Sequence, residues 1–562
     1  MTFRSTTLPR RISRSLRLFF KVSLAPAVMT ILALALIEGA IRLAYLIRNA
    51  AVDTIPLPYV IGYDYGPVPP WLDALRILEP DPVLVWKNRP NLKRKYMDVF
   101  CPVRSDAERF SLIRQFIPRI PDSLKQRKPW EIALNSEAYR DAEFPTAKKP
   151  SSFRIVCLGD SWTFGANVGQ EEAYPQRLRA MLAHGFPRSD FEVFNLGVLG
   201  YASYNGAMLM RSRVPSLEPD IVVIAFAMNE PNMAGYREER AREEKTPLVA
   251  RIRAVLAKSE IYKLLRYGIQ MAKYKPRPMA DWFKEAEKTA AWSKTGDDSS
   301  GHEPWLRDSL RDYAQYHREM IERAGKTGAD VILLYNEFWR TSPYRSVLER
   351  VSREEQVPLI DASALLAESR KKIEDGLERR LALQPAGFFA GDASPGRVEV
   401  VFRVYLGERH VPRSVYIAGT DPQLGDLVPN KTAMYDDGTR GDEHAGDHVW
   451  SLSASFPAGK TIFYVYTNSG EEGLWEGLDV PYVRTLTLDP PLRAGTAAVA
   501  RNPVESFGQV YMHADGCHTN AAGYELIAEA LLDVLKRNPK FQAHISRPFR
   551  DPGREKEPQR TH

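Results

Sequence analysis

Five short apolar runs, with helix-like stretches between them, set the tightest limit on how this chain folds. They read "FRIVCL" (153–158), "FEVFNL" (191–196), "IVVIAFAM" (221–228), "DVILLYN" (330–336) and "VPLID" (357–361). Each has the length of a buried strand, and together they are more continuous than alternating, so both faces of each strand require cover. Between them, "YPQRLRAMLAHG" (174–185) and "WLRDSLRDYAQYHREMIERAG" (305–325) carry apolar residues at helical spacing. Buried strands alternating with amphipathic helices predict an α/β fold, a parallel sheet sandwiched by helices. Reactive residues in such a sheet sit just beyond the carboxyl ends of the strands.

The alternation stops near Gly391. From there to about Pro490 the chain reads as all-β, with "RVEVVFRVYL", "RSVYIAG", "HVWSLSASF", "KTIFYVYTN" and "YVRTLTL" separated by turn signals such as "DDGTRGD". After it, "NAAGYELIAEALLDVLKRN" (520–538) returns to the helical pattern. The expected order is therefore a lead segment (48–150), the first part of an α/β domain (151–385), an inserted β-sandwich (391–490), the second part of the α/β domain (495–540) and a disordered tail (541–562).

Six arginines and lysines and no acid occupy residues 1–21, so most of the net charge of +7 lies in that flank. The remainder is nearly neutral, which argues against a nucleic-acid binder. The flank precedes Val22–Ile47, 26 residues that make about 39 Å of helix, enough to cross a bilayer. Glu38 and Arg42 lie four apart and can pair near the interface. The reading is an uncleaved single-pass anchor, with the basic flank in the cytoplasm and the rest periplasmic or extracellular. A cleaved signal peptide is the alternative. Cys101, Cys157 and Cys517 have no metal-ligand spacing, and an odd count argues against a disulfide framework.

Four short stretches carry chemistry. "GDSWTFG" (159–165) follows the first apolar run and places Ser161 at a strand end, where a serine in a turn is the plain alternative to a nucleophile. "NLGVLGYAS" (195–203) supplies Gly197 and Gly200, whose N–H groups can approach an oxyanion unobstructed. "AMNEPN" (227–232) supplies Asn229, whose amide can donate to the same oxyanion. "DGCHTNAAG" (515–523) places Asp515 three residues before His518, a spacing that lets the carboxylate orient the imidazole toward Ser161; His513 competes without that return geometry.

In this order, Gly159-Asp160-Ser161, Gly200, Asn229 and Asp515-x-x-His518 resemble the SGNH, or GDSL-type, hydrolase superfamily. "LNSEAYRD" (134–141) is similar to the stretch that precedes this domain in membrane-anchored bacterial members. The resemblance covers roughly residues 80–385 and 495–540. It departs from the family at Ala227-Met228-Asn229-Glu230, where Gly-x-Asn-Asp is usual. It implies a flavodoxin-like three-layer sheet and a serine esterase with Ser161, His518 and Asp515 as triad. Ser161, Gly200 and Asn229 form the oxyanion hole, and no cofactor or metal is required. Trp162 is expected to shape the acyl pocket, and Asp160 to hold the turn.

The implied substrates are acyl esters, O-acetyl groups in the first place, on an extracytoplasmic glycan. An O-acyltransferase on an exopolysaccharide or cell-wall polymer is the alternative, and a non-catalytic glycan-binding or assembly protein the second. Around "VYIAGTDPQLGDLVPNKTAMYDDGTRGDEHAGDHVWS" the sandwich resembles starch-binding-type carbohydrate modules. Trp450, Tyr464, Tyr466 and Trp475 are candidates to stack on sugars or to form its core. Asp436, Asp437, Asp442 and Asp447 are candidates for calcium or for ordinary turn chemistry.

Overall fold

A computed structural model describes residues 25–50, 54–56, 70–97, 130–230, 252–273, 308–337, 342–405, 414–467, 484–489, 498–506, 511 and 518–547, apart from positions 82, 146, 253, 254, 392, 393 and 427–429. The basic flank, Asp515, His513, Trp475 and the end of the tail lie outside the described residues. The chain forms two units, one of residues 1–53, 66–75 and 242–275, the other of residues 54–65, 76–241 and 276–562.

The first unit holds the N-terminal helix Ala25–Ala50, the short turn Pro70–Leu75 and the helix Glu260–Lys273. Pro26–Ala50 is long and apolar enough to cross a membrane, and most of its side chains are exposed on the protein.

The second unit is built on five parallel strands: β1 (Ser152–Gly159), β2 (Asp190–Gly197), β3 (Ile221–Ala225), β4 (Asp330–Tyr335) and β5 (Leu359–Asp361). Their order is β5-β4-β3-β1-β2. All eight residues of β1 are buried, which is why its sequence shows no alternation. The helices are α1 (Ser161–Phe164), α2 (Tyr174–Gly185), α3 (Ser203–Ser212), α4 (Leu310–Lys326), α5 (Pro343–Glu355), α6 (Ala362–Arg380), α7 (Ala521–Leu535) and α8 (Pro539–Ile545), the last correcting the disordered tail expected from 541, since Phe541 packs in the core. Ser309, Asp361 and Asn520 each start a helix by accepting a bond from a backbone N–H two or three residues inside it. Ile155 and Cys157 share a core with Leu178 of α2 and Ile527 and Leu531 of α7.

From β1 the chain crosses to β2 on one side, and β3 lies on the other. The end of β1 is therefore the switch point where such sheets open a crevice. Register aligns Gly159 with Gly197 and with Ala225, so three strand ends stop at one level. Glycine is needed twice there. A Cβ on Gly159 would fall 2.9 Å from the Ala225 carbonyl oxygen, and one on Gly197 would fall 2.2 Å from the Phe164 nitrogen.

The lead segment braces this edge. In the hairpin of Leu78–Asp81 and Val85–Asn88, Trp86 Nε1 donates to Leu199 O (3.0 Å) and Trp86 O accepts from the Tyr201 hydroxyl (2.7 Å). Arg140 is fully buried and donates to the carbonyls of Phe164, Gly165 and Val168, just past α1.

Two further sheets form the β-sandwich. One orders β6 (Gly387–Ala390), β13 (Ala498–Arg501), β7 (Arg397–Tyr405) and β10 (Val449–Pro457), with β14 (Glu505–Ser506) also beside β7. The other orders β9 (Thr432–Ala433), β8 (Tyr416–Gly419), β11 (Thr461–Thr467) and β12 (Arg484–Thr487). β6 and β13 lie outside the 391–490 window read from the sequence, yet they pair within this sheet. At only four residues each, they carry too little pattern to be assigned locally. The buried Arg403 of β7 joins the sandwich to the α/β part through Glu378 of α6 (2.9 Å) and Gln384 O (2.7 Å).

The close approach at Gly197 yields a prediction. Gly197→Ala should cost about 1–3 kcal/mol by overpacking against backbone that cannot rotate away. Thermal melting should show a lowered midpoint, because the displaced backbone belongs to the turn that follows β1.

Candidate active site

Ser161 is the first residue of α1, directly after β1 and the Asp160 cap. The helix lasts one turn and closes on Gly165, whose φ of +78° lets the chain reverse. The Ser161 hydroxyl lies 2.8 Å from His518 Nε2, although the two residues are 357 positions apart. His518 reaches this place because Asn520 caps α7 and Thr519 is tied to Tyr511 O at 2.5 Å. Ser161 is buried except for a small exposed part.

Gly200 lies in the loop after β2 with φ +77°, in the left-handed region that glycine adopts without strain. Asn229 lies in the loop after β3. Its amide nitrogen donates to Asp160 Oδ2 (3.2 Å) and to Tyr201 O (3.0 Å), so both of its N–H groups are engaged within the protein. The structure thus puts Ser161 and His518 in hydrogen-bond contact and bonds Asn229 to Asp160, the residue before Ser161, with Gly200 next to Tyr201 in sequence.

Glu230, the departure from the family pattern, is fully buried and serves another end. Its Oε1 accepts from Ser203 N at the start of α3 (2.9 Å), where Asp308 accepts from the Ser203 hydroxyl (2.7 Å). Burial, then the charge of Asp308, pushes the Glu230 carboxyl well above its ordinary range.

One expectation needs correction. Trp162 does not face an acyl pocket. It is fully buried in the core, edge-on to Tyr524 at 6.5 Å. The one-turn helix rotates it about 100° from Ser161, and the sheet needs a large apolar residue on that side. Of the two readings of Tyr464 and Tyr466, the structure has the core one: both lie in the core of the sandwich, with both hydroxyls on Glu505 Oε2 (3.0 and 2.6 Å). Trp450 packs against the same core, half-buried. Asp436, Asp442 and Asp447 bring ligand oxygens within 4.8 Å of one another, and each also accepts backbone N–H bonds of its own turns.

Asn336, which follows β4, was not singled out by the sequence because an Asn after an apolar run is also common turn chemistry. It donates to Asp160 Oδ1 at 2.9 Å. Asp160 thereby collects bonds from Trp162 N (2.8 Å), Asn336 and Asn229. The carboxyl is fully buried, and that burial pushes it up to about 7; the Trp162 N–H and the nearby His518 oppose the rise. A carboxyl raised on folding contributes stability at low pH that is lost as pH climbs through its folded value. Wild-type protein should therefore lose stability between about pH 4 and 7 relative to Asp160→Asn, which lacks this titration. Melting temperatures of both proteins across that range test it, and parallel curves would contradict it.

The sequence model of the GDSL-like Lipase/Acylhydrolase family matches residues 157–387. No curated protein matches the chain. Solved structures similar to part of it include a G-D-S-L family protein from Desulfitobacterium hafniense DCB-2, at 14% identity over 38% of this chain and 79% of that one, with a TM-score of 0.22. Another is TesA, at 15% identity over 38% and 80%, with a TM-score of 0.23. A third is the acetylxylan esterase Axe2 from Geobacillus stearothermophilus, at 13% identity over 39% and 80%, with a TM-score of 0.23. The family match spans β1 to β5, the strands whose ends hold Ser161, Gly200, Asn229 and Asn336. Residues 157–387 are thus a GDSL-like lipase/acylhydrolase domain, and the chain is a hydrolase that acts on ester bonds.

Proposed function

We propose that the protein is a membrane-anchored serine esterase that removes acyl groups, O-acetyl in the first place, from an extracytoplasmic glycan. The observation that carries the reading is the 2.8 Å contact between Ser161 Oγ and His518 Nε2. At that distance the imidazole can take the hydroxyl proton as Oγ attacks the ester carbonyl. The C–O bond to the alcohol then breaks, His518 returns the proton to the leaving oxygen, and the acyl group stays on Ser161. Water, deprotonated by His518, releases the acid and restores the serine. Asp515 orients the imidazole from three residues upstream.

The oxyanion meets the N–H groups of Ser161 and Gly200, each such donor contributing about 3 kcal/mol. Asn229 joins them by exchanging its bond to Asp160 or Tyr201 for one to the oxyanion. The departure Ala227-x-Asn229-Glu230 is compatible with this, because Glu230 turns away to the start of α3.

Two features support an anchor over a cleaved signal peptide. The helix extends to Ala50, well past the apolar stretch of a signal peptide. Glu38 within it also bonds backbone groups of Glu260 and Ile261, which cleavage would leave without this partner. A catalytic chain beyond the membrane meets polymer esters, which supports the glycan half of the proposal.

Purified Ser161→Ala and Asp515→Asn proteins should each lose roughly four orders of magnitude in p-nitrophenyl acetate hydrolysis. A Ser161→Ala protein as fast as wild type would overturn the nucleophile. With an acetylated oligosaccharide as donor and a deacetylated one as competitor, free acetate should stay the product. Transfer to the added sugar would make the enzyme an acyltransferase.

A further inference from the structure

The N-terminal helix carries one carboxylate among exposed apolar side chains. Leu36, Ile37, Leu43 and Leu46 are all half or more exposed, and Glu38 lies between them. A charge in such a stretch is costly unless it is paired and hydrogen-bonded. Glu38 is fully engaged. Its Oε1 accepts from Arg42 Nε (2.9 Å) and Glu260 N (2.8 Å), and its Oε2 from Ser259 Oγ (3.0 Å) and Ile261 N (3.1 Å). Three of these four donors belong to the start of helix Glu260–Lys273, within the same unit. Glu38 therefore satisfies N–H groups that a helix start leaves open, with its negative charge at the positive end of the dipole. In water those groups need no such partner. Where water is scarce they do.

Helix Glu260–Lys273 has two faces. Ile261, Leu265, Ile269 and Ala272 recur at helical spacing on one side, with Lys263, Arg266 and Gln270 opposite. Leu265 and Ile269 are 64% and 58% exposed, and Val255, in the helical segment before the turn at 257–258, is 67% exposed. A contiguous apolar face this open is not normal on a soluble surface. The one described cation on the first turn of the helix, Lys263, is itself paired, with Glu260 Oε1 at 2.9 Å.

The other end of the pair has the composition of a membrane interface. Tyr267 lies edge-on to Trp71 at 5.6 Å, and Arg48 sits over the same Trp71 ring at 5.0 Å. Asn49 Nδ2 donates to Trp71 O at 2.8 Å. Trp, Tyr and Arg at one level are what the headgroup layer selects.

We infer that residues 255–273 are a second membrane-inserted element, whose apolar face is covered by lipid acyl chains in the leaflet where the N-terminal helix ends. Glu38 is the cap that lets this helix begin below the surface. The inference rests on the anchor reading and adds to it.

The test uses the full chain in vesicles of phosphatidylethanolamine and phosphatidylglycerol, with Cys101 and Cys517 replaced by serine and the fully buried Cys157, closed to the label, kept. Single cysteines at Leu265→Cys, Ile269→Cys, Arg266→Cys, Gln270→Cys and Leu36→Cys carry an environment-sensitive fluorophore. Doxyl-labelled lipid is then added. Labels at 265 and 269 should be quenched several-fold more than those at 266 and 270, and the label at 36 should be quenched as well. Equal, weak quenching at 265 and 266 with strong quenching at 36 would overturn the inference and leave the anchor standing. A blue-shifted but unquenched label at 269 would mean that protein covers the face, and would also overturn it. An unquenched label at 36 would remove the anchor and the inference together.

Discussion

Asp160 sits fully buried where three strands end, and its two oxygens gather hydrogen bonds from Trp162 N, Asn336 and Asn229. These donors come from the turn after β1 and the loops after β4 and β3. A buried acceptor of this kind must be satisfied, because leaving one oxygen bare costs its desolvation without return. The three loops are thereby held to one another, and the serine next to Asp160 is held with them. Arg140 works from the opposite side. It has no carboxylate partner among its described bonds, and it fixes the carbonyls that follow α1. Burial lowers its own pKa to about 10, which still leaves it charged at neutral pH.

Much of this site could be read before the fold was seen, for an identifiable reason. A serine at a strand end, glycines that permit close approach and a His shortly before a capped helix are each local patterns. The order Ser161, Gly200, Asn229, His518 follows the order of the strands, so the sequence places them on one edge. What could not be read was direction. Trp162 and Ser161 are neighbours in sequence and both are buried, yet the one-turn helix sends Trp162 into the core and turns the Ser161 hydroxyl to His518. Asn336 has no pattern around it, and only the sheet brings it to Asp160. "LNSEAYRD" was visible as a motif, but its physical role as a strut through Arg140 and Asp141 needs the fold. Asp141 accepts from Asn195 N and Arg179 across the start of the site, contacts 54 and 38 positions away.

The sandwich shows the limit from another side. Its long strands β7 and β10 pair over nine residues and announce themselves by alternation. β6 and β13 are short and join the sheet only because the chain enters and leaves there. Tyr464 and Tyr466 alternate with neither Trp450 nor the surface residues in any way that marks them as inward. Their place in the core follows from β11 facing β7, where Phe402 lies 5.0 Å from Tyr464. The N-terminal helix was legible by length and charge. Its partner Glu260–Lys273 was not, because an amphipathic stretch reads the same way whether its apolar face meets a sheet, a helix or lipid.

The central claim is that Ser161 is the nucleophile, activated by His518 and exposed to substrate at the end of β1. Covalent labelling with a fluorophosphonate, followed by mass mapping of the modified peptide, tests it most directly. The account predicts a single stoichiometric adduct on Ser161 that is lost in His518→Ala and in heat-unfolded protein. An active enzyme that resists the label, or an adduct mapped to any other residue, would contradict it.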